Sequence, residues 1–124
     1  MEKRLSRCAG LILCFLFCPY LSAQPHPFWD KTNLYLHATN AAAQTADALT
    51  TQRFLRAGHD ELNPLARPFV TRGWKGQVVA SYGLGVGGTL LLSYVFHRKG
   101  WHRLEPAAPI LVASSSGLAA GMNL

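Results

Sequence analysis

The feature that most constrains this chain is an uncharged run of 19 residues at 78–96. The run is rich in Gly, Leu and Val, and its length matches the roughly 20 apolar residues that a helix needs to cross a bilayer. A second uncharged run, 106–124, follows a short basic segment. Its prolines, Pro106 and Pro109, fall in the first turn, where a helix tolerates proline. The two runs predict membrane-spanning helices at about 77–97 and 106–123.

The N-terminal residues 1–23 resemble a secretory signal. Lys3, Arg4 and Arg7 precede an apolar core at 8–21 that is too short to span a bilayer, and a small-residue cleavage sequence ends at Ala23. The three cysteines of the chain all lie in this segment, so its removal excludes disulfides and thiolate metal sites. We predict a signal peptide, or an uncleaved anchor, at 1–23 and a helical membrane domain at 24–124.

A polar stripe marks the first helix predicted after the signal, at about 30–57. Its residues recur at spacings of four and three, which places them on one face of a helix. They are Asn33, His37, Asn40, Gln44, Asp47 and Thr51. The stripe is either the wet face of a soluble helix or the interior face of a membrane bundle. The apolar runs that follow favour the interior of a bundle, because lipid does not solvate amides or carboxylates.

The loop after this helix contains a strong local signal at Asn63-Pro64. Asn is a favoured helix N-cap and Pro a favoured first helical residue. This pair predicts a short interfacial helix at about 64–72, bent at Pro68 and ended by Gly73. The predicted fold class is therefore all-α: a small transmembrane helical bundle with about three mature helices after a signal peptide, plus this short loop helix.

Glycines recur at fixed intervals in both apolar runs. Ladders of small residues let helices approach closely in lipid. The glycines predicted to mediate helix packing, and self-association into a homo-oligomer, are Gly83, Gly85, Gly87, Gly117 and Gly121.

Charge supports a membrane location. The chain carries a net charge of +6, yet only 15% of its residues are charged. The basic residues form small groups at the ends of the apolar runs, as at membrane edges, and do not form the single basic face that nucleic acid requires. The predicted partner is the lipid bilayer of the bacterial inner (cytoplasmic) membrane, with no nucleic acid. Removal of the signal leaves the mature N-terminus outside, and segment 53–75, with five Lys/Arg against three in 97–105, inside.

The sequence Asp47-Ala-Leu-Thr-Thr51, followed by Glu61-Leu-Asn-Pro64, resembles the signature of an uncharacterised family of small bacterial multi-pass membrane proteins. That signature pairs an Asp-x-x-(Ser/Thr)-Thr helix end with a Glu-x-Asn-Pro turn. The resemblance covers about residues 35–123. It implies the same multi-pass architecture and marks Asp47, Thr51, Glu61, Asn63 and Pro64 as signature positions, and it implies no activity.

Two functions are compatible with this sequence. The first is a structural or interaction bundle of the membrane. The alternative is a polar site that binds an ion, a proton or a small ligand, because an acid within a membrane helix is a functional candidate. That site would contain Asp47, Thr50, Thr51, Glu61, Asn63 and Pro64, with His37, Asn40, Gln44 and His59 as additional members.

Catalytic and cofactor signals are weak. No H-E-x-x-H or G-x-S-x-G motif occurs, and Ser114, Ser115 and Ser116 have no evident base, so the sequence does not favour an enzyme. No cofactor is predicted, and the sequence does not indicate whether a metal binds. Haem ligation by His37 and His97 is an alternative that the sequence leaves open.

Overall fold

The computed structural model describes residues 24–124, and within them every regular element is helical. Helix α1 spans Lys31–Arg56, the short α2 spans Arg67–Val70, α3 spans Trp74–Arg98 and α4 spans Ala107–Met122. The all-helical class is confirmed for this part of the chain. The predicted signal at 1–23 lies outside the described residues.

Local sequence determines where α1 begins and ends. The side chain of Asp30 caps the helix by accepting a hydrogen bond from the backbone N–H of Asn33 at 2.7 Å. At the other end, Gly58 adopts a left-handed conformation with φ of 88° just after the C-cap, while Arg53 and Arg56 occupy the last turn. The predicted helix at 30–57 is therefore confirmed to within one residue at each end.

The loop helix α2 is shorter than predicted. Residues 64–66 form turns, and the helix itself begins at Arg67. Pro68 thus falls in the first turn, where it removes no hydrogen bond, so the predicted bend is wrong. The turn is held by Glu61, whose Oε1 accepts from the N–H of Asn63 at 2.8 Å, and by Asn63, whose Oδ1 accepts from the N–H of Leu65 at 3.0 Å.

The middle of α3 is wound differently from its ends. Trp74–Val78 and Thr89–Arg98 are α-helical, whereas Val79–Gly88 is a π-helix. A π-helix pairs each carbonyl with the N–H five residues on and is rare at this length. The carbonyl of Gly85 accepts from Asn40 Nδ2 of α1 at 3.1 Å and from Thr89 Oγ1 at 2.5 Å. The uncharged run predicted the helix but gave no indication of its π segment.

The helices bury polar side chains and expose apolar ones. Helix α1 packs against α4 and the π segment, and α4 also packs against the last part of α3. The buried polar side chains include every polar stripe residue of α1 except the half-buried Asp47. Among the described residues the buried hydrophobic side chains are Ala48, Val70, Ala108 and Ala120, whereas Leu65, Leu91, Leu111, Leu118 and Met122 are among the many exposed. The predicted interior position of the polar stripe is confirmed.

Hydrogen bonds between side chains join the helices inside this polar core. Gln44 Nε2 donates to Ser116 Oγ of α4 at 2.7 Å. Gln52 Nε2 donates to Gln77 Oε1 of α3 and to the carbonyl of Val70 of α2, both at 3.0 Å. Interhelical hydrogen bonds of this kind contribute to helix association where the hydrophobic effect cannot.

One helix of the described residues, Trp74–Arg98, is long and apolar enough to cross a membrane. Ala107–Met122 is apolar but shorter. Helix α1 is long but carries the polar stripe, so by length and composition alone the structure gives one candidate span.

The predicted packing glycines behave differently from one another. A Cβ at Gly85 would lie 2.5 Å from the side-chain carbonyl carbon of Gln44, so Gly85 packs closely against α1. Beside Gly83, Gly117 and Gly121 there is open space, and Gly87 meets only a carbonyl of its own helix. Among the described residues, only Gly85 of the five has another helix within contact distance of the position a Cβ would take, and packing of the other four against a second molecule stays a prediction.

We expect Gly76→Ala to destabilise the fold by about 1–3 kcal/mol, the usual cost of overpacking. The added Cβ would lie 1.8 Å from the backbone oxygen of Phe69, so α2 would have to move away from α3. The measurement is the melting temperature of the purified protein in mild detergent. Gly83→Ala is the control, since its Cβ meets nothing, and equal melting temperatures for the two variants would contradict this packing.

Candidate functional site

Four side chains that commonly bind metals meet at one end of the bundle. They come from the segment before α1, the last turn of α3 and the loop between α3 and α4. They are His26, His97, His102 and Glu105. One ligand atom from each lies within 4.8 Å of all the others. We call this group the His–Glu cluster.

Glu105 is the centre of the His–Glu cluster. Its side chain is fully buried, and one carboxylate oxygen, Oε2, lies 3.1 Å from Nδ1 of His97, 3.1 Å from Nδ1 of His102 and 3.5 Å from Nε2 of His26. The other oxygen, Oε1, accepts a hydrogen bond from Asn33 Nδ2. Burial alone would raise the pKa of Glu105, but the hydrogen bonds from His102, Asn33 and His97 outweigh it and lower the pKa.

A residue at the start of α1 holds the His26 ring of the His–Glu cluster in place. Asp30, which caps the helix, also lies 3.0 Å from Nδ1 of His26 through its second oxygen. The same nitrogen lies within hydrogen-bond distance of the carbonyl oxygen of Pro27, at 3.0 Å, while the other nitrogen, Nε2, faces Glu105. A carboxylate or backbone carbonyl that holds the remote nitrogen of a histidine is the usual support of a metal-binding imidazole, because it fixes both the tautomer and the orientation of the ring.

The loop that carries His102 and Glu105 is held on α3. Gly100 turns the chain with φ of 73°, and the N–H of Trp101 donates to the carbonyl of Phe96 at 2.9 Å. Ser93 Oγ, fully buried on α3, donates to the backbone carbonyl of Glu105. The backbone of Glu105 is therefore positioned independently of its side chain.

The donor set fits a divalent transition metal. A tetrahedral zinc ion with bonds of about 2.0–2.1 Å places its ligand atoms roughly 3.3 Å apart. The three distances from Glu105 Oε2 to the histidines, 3.1, 3.1 and 3.5 Å, already match that spacing. Only the wider separations between the histidine nitrogens, up to 4.8 Å, would have to contract. Three imidazoles and one carboxylate can therefore surround an ion with small side-chain movements.

A cleft of about 700 Å³ lies at the opposite end of the bundle, and we call it the acidic cleft. Both Asp47 and Glu61 line it, together with Asp60 of the loop. Thr51 Oγ1 lies 3.3 Å from Asp47 Oδ1 and accepts from Asn123 Nδ2 at 3.0 Å. Glu61 is held by its contact with the backbone of Asn63, so the two predicted acids share one cleft but have separate hydrogen-bond partners.

The other predicted site residues divide among three places. Thr51, Asn63 and Gln44 line the acidic cleft with the two acids, whereas Pro64 does not. Thr50 and His59 line a smaller pocket of about 360 Å³, where His59 stacks on Phe54. His37 and Asn40 lie deeper in the bundle, between the cleft and the His–Glu cluster, so His37 and His59 are not brought together with the acids.

Sequence reasoning missed the His–Glu cluster. It interpreted residues 97–105 as a basic turn and considered His97 only as a haem ligand. One signal in the sequence could have indicated it. His97, His102 and Glu105 are all of types that bind metals, and they lie within nine positions. His26 lies 71 positions earlier than His97, and only the packing of α1 against the other helices brings the two together.

No family model, curated protein or solved structure matches this chain. The resemblance to the uncharacterised membrane family therefore stays a prediction.

The buried carboxylate of Glu105 should make the stability of the fold sensitive to acid. Because the pKa of Glu105 lies below its ordinary value of 4.5 in the folded state, its charge stabilises the fold above pH 4.5 and that contribution is lost as the pH falls toward the folded pKa. We expect the melting temperature, measured with a chelator present, to fall below pH 4.5 less steeply in Glu105→Gln than in the natural protein. Asp60→Asn, at an exposed position, should retain the full fall, and identical profiles for all three proteins would contradict the assignment.

Proposed function

We propose that this chain is a small multi-pass protein of the bacterial cytoplasmic membrane that binds a divalent transition-metal ion at its outer face. The ligands are His26, His97, His102 and Glu105. The observation that carries the proposal is the convergence of these four groups around a fully buried carboxylate oxygen.

The inverted distribution of side chains supports the membrane placement. A soluble protein rarely exposes large contiguous apolar surfaces, and it does not fill its interior with amides. Only 17% of the most apolar window of α3 is buried within the chain. On α1, the stripe from Asn33 to Thr51 covers 19 residues, or about 27 Å of helix, close to the roughly 30 Å of a bilayer core. In a bilayer, lipid surrounds the exposed apolar side chains, and hydrogen bonds between the helices satisfy the buried amides.

The proposed topology places the two sites on opposite sides of the membrane. His26 lies close to the predicted mature N-terminus, so the His–Glu cluster faces outside. The acidic cleft is formed at the other end of α1, beside the loop 58–73, and faces the cytoplasm. The larger number of Lys and Arg residues on the cleft side agrees with the positive-inside rule.

The ligand set indicates the class of ion. Imidazole nitrogen binds zinc, copper, nickel and iron well, whereas magnesium and calcium prefer sites made of oxygen. A bound ion would connect the segment before α1, the end of α3 and the loop after it, and binding to the folded state alone stabilises that state. The role we propose is capture of such an ion at the membrane surface, with stabilisation of the bundle as its physical consequence.

The signature residues support a shared architecture with the family that the sequence resembles. Asp47, Thr51, Glu61 and Asn63 all line the acidic cleft, so a short motif with a gap of nine residues assembles one surface. We therefore propose that the chain belongs to that uncharacterised membrane family. We also propose that its outward-facing glycines have an interaction role.

Metal binding is tested by calorimetric titration of the chelator-treated protein with Zn²⁺ in detergent. We expect saturable binding of one ion per chain, and a loss of affinity of at least about tenfold for His97→Ala or His102→Ala, as even supporting residues of metal sites cost 10–100-fold. Mg²⁺ should not compete at equal concentration.

His59→Ala is the matched control, because His59 is exposed and stacks on Phe54 far from the cluster. Its affinity for Zn²⁺ should equal that of the natural protein. Absence of saturable binding, or equal affinity in His97→Ala and His59→Ala, would show that the cluster is only a buried hydrogen-bonded carboxylate.

The topology is tested with reporter fusions in the two loops. A fusion at Gly73 should report a cytoplasmic position and a fusion at Gly100 an external one, because α3 crosses the membrane between them. Alkaline phosphatase, which is active only outside the cytoplasm, and a fluorescent protein that matures in the cytoplasm provide complementary readouts. The same compartment for both positions would contradict the proposed crossing by α3.

A further inference from the structure

The interior of the bundle contains a histidine without hydrogen-bond partners. His37 is only 5% exposed, and neither of its ring nitrogens has a hydrogen-bond partner among residues 24–124, which the structure describes. Its aromatic neighbour Phe28 lies at 6.1 Å between ring centroids and offers no polar atom to the ring nitrogens. The neighbouring Asn40 is fully buried, and its Oδ1 is also unpartnered. Buried polar atoms nearly always have partners, so these three atoms indicate contact with water or with an exchanging ion.

His37 and Asn40 lie on a line of polar groups that connects the two ends of the bundle. On the inner side, the acidic cleft extends to Gln44 and Gly85, and Asn40 donates to the carbonyl of Gly85. On the outer side, Asn33 donates to Glu105. Gln44 and Asn33 are 11 residues apart on α1, or about 16 Å of helix. Only His37 and Asn40 occupy the stripe between the end of the cleft and the carboxylate of the His–Glu cluster.

We propose that His37 relays protons between the acidic cleft and the His–Glu cluster, so that the bundle conducts protons across the membrane. A hydronium ion on one side gives its proton to the unprotonated ring nitrogen and becomes water, and the ring becomes an imidazolium. The opposite nitrogen then releases its own proton to a water molecule on the other side. The ring returns to its neutral form with the tautomer exchanged, and one proton has moved without any change in covalent bonds to carbon.

The residues at both ends suit this role. Asp47 lines the cleft at one end of this line, and the His–Glu cluster lies at the other end, so the line ends at polar groups on both sides. Histidine is the side chain whose two nitrogens allow uptake and release on opposite faces near neutral pH. This inference rests on the membrane placement in the proposed function and does not require a bound metal.

The test is proton flux into vesicles that contain the purified protein. A pH-sensitive dye is trapped inside, and a potassium gradient with valinomycin drives proton entry. We expect the natural protein to acidify the vesicles faster than protein-free vesicles do, and His37→Phe to reduce the rate to the protein-free level. Natural protein that conducts no faster than empty vesicles, or His37→Phe that conducts as the natural protein does, overturns the proposal.

Two further variants separate loss of the relay from loss of the fold. His37→Gln keeps polar atoms at the position but cannot exchange a proton across a ring, and we expect it to lose the flux as well. His59→Phe changes an exposed histidine outside the line and should conduct normally. A conducting His37→Gln, or a loss of flux in His59→Phe equal to that in His37→Phe, contradicts the assignment to His37.

The same preparations distinguish this inference from the proposed function. Zn²⁺ titration of His37→Phe should give the affinity of the natural protein, since His37 is not a ligand of the cluster. Extraction of the vesicles with alkaline carbonate should leave the protein in the membrane. Protein that remains in the membrane and binds Zn²⁺ but conducts no protons refutes the relay alone, whereas protein extracted by carbonate refutes the membrane placement on which both depend.

Discussion

The carboxylate of Glu105 is buried where water does not solvate it, so its oxygens need hydrogen-bond partners from the protein. The architecture at that end of the bundle follows from this need. An isolated buried charge is costly, and such groups persist only when they are paired and hydrogen-bonded. Here one oxygen is satisfied by Asn33 of α1 and the other by three histidines, one each from the N-terminal segment, α3 and the following loop. One residue therefore specifies how the N-terminal segment, α1, α3 and the following loop meet.

The polar side chains buried along α1 also need hydrogen-bond partners from the protein. The interior face of this helix carries amides that bond to α2, α3 and α4, while Leu34, Tyr35 and Leu49 are exposed. Under the proposed membrane placement, polar contacts determine which helices are neighbours, because apolar side chains gain little by leaving lipid for the protein interior. Among the described residues, the two ring nitrogens of His37 and the Oδ1 atom of Asn40 are the exceptions to an otherwise satisfied core. We interpret His37 and Asn40 as functional, because Asn33 and Gln44, at the adjacent turns of α1, both have hydrogen-bond partners.

Much of the fold could be predicted from sequence, since its signals are local. The unbroken polar stripe, the uncharged runs and the prolines at the start of α4 predicted three long helices to within about three residues at each end. The stripe on α1 predicted which face is buried. The His–Glu cluster could not be predicted in the same way, because His26 reaches Glu105 only through tertiary packing. Asp47 and Glu61 line one cleft, and only a short stretch of chain separates them in the sequence.

The π segment of α3 has a consequence for the spacing of its buried face. Gln77, Ser81, Gly85, Thr89, Ser93 and His97 recur at intervals of four residues, and α-helical winding of 3.6 residues per turn would rotate each member about 40° from the one before. The wider turns of Val79–Gly88 rotate the chain less per residue and so offset this drift. One irregularity in winding thus keeps a straight seam along 20 residues, from the amide of Gln77 at one end to the imidazole of His97 at the other. If this segment were wound as an ordinary α-helix, the drift would accumulate along the seam, and His97 would turn away from Glu105 although its own surroundings were unaltered.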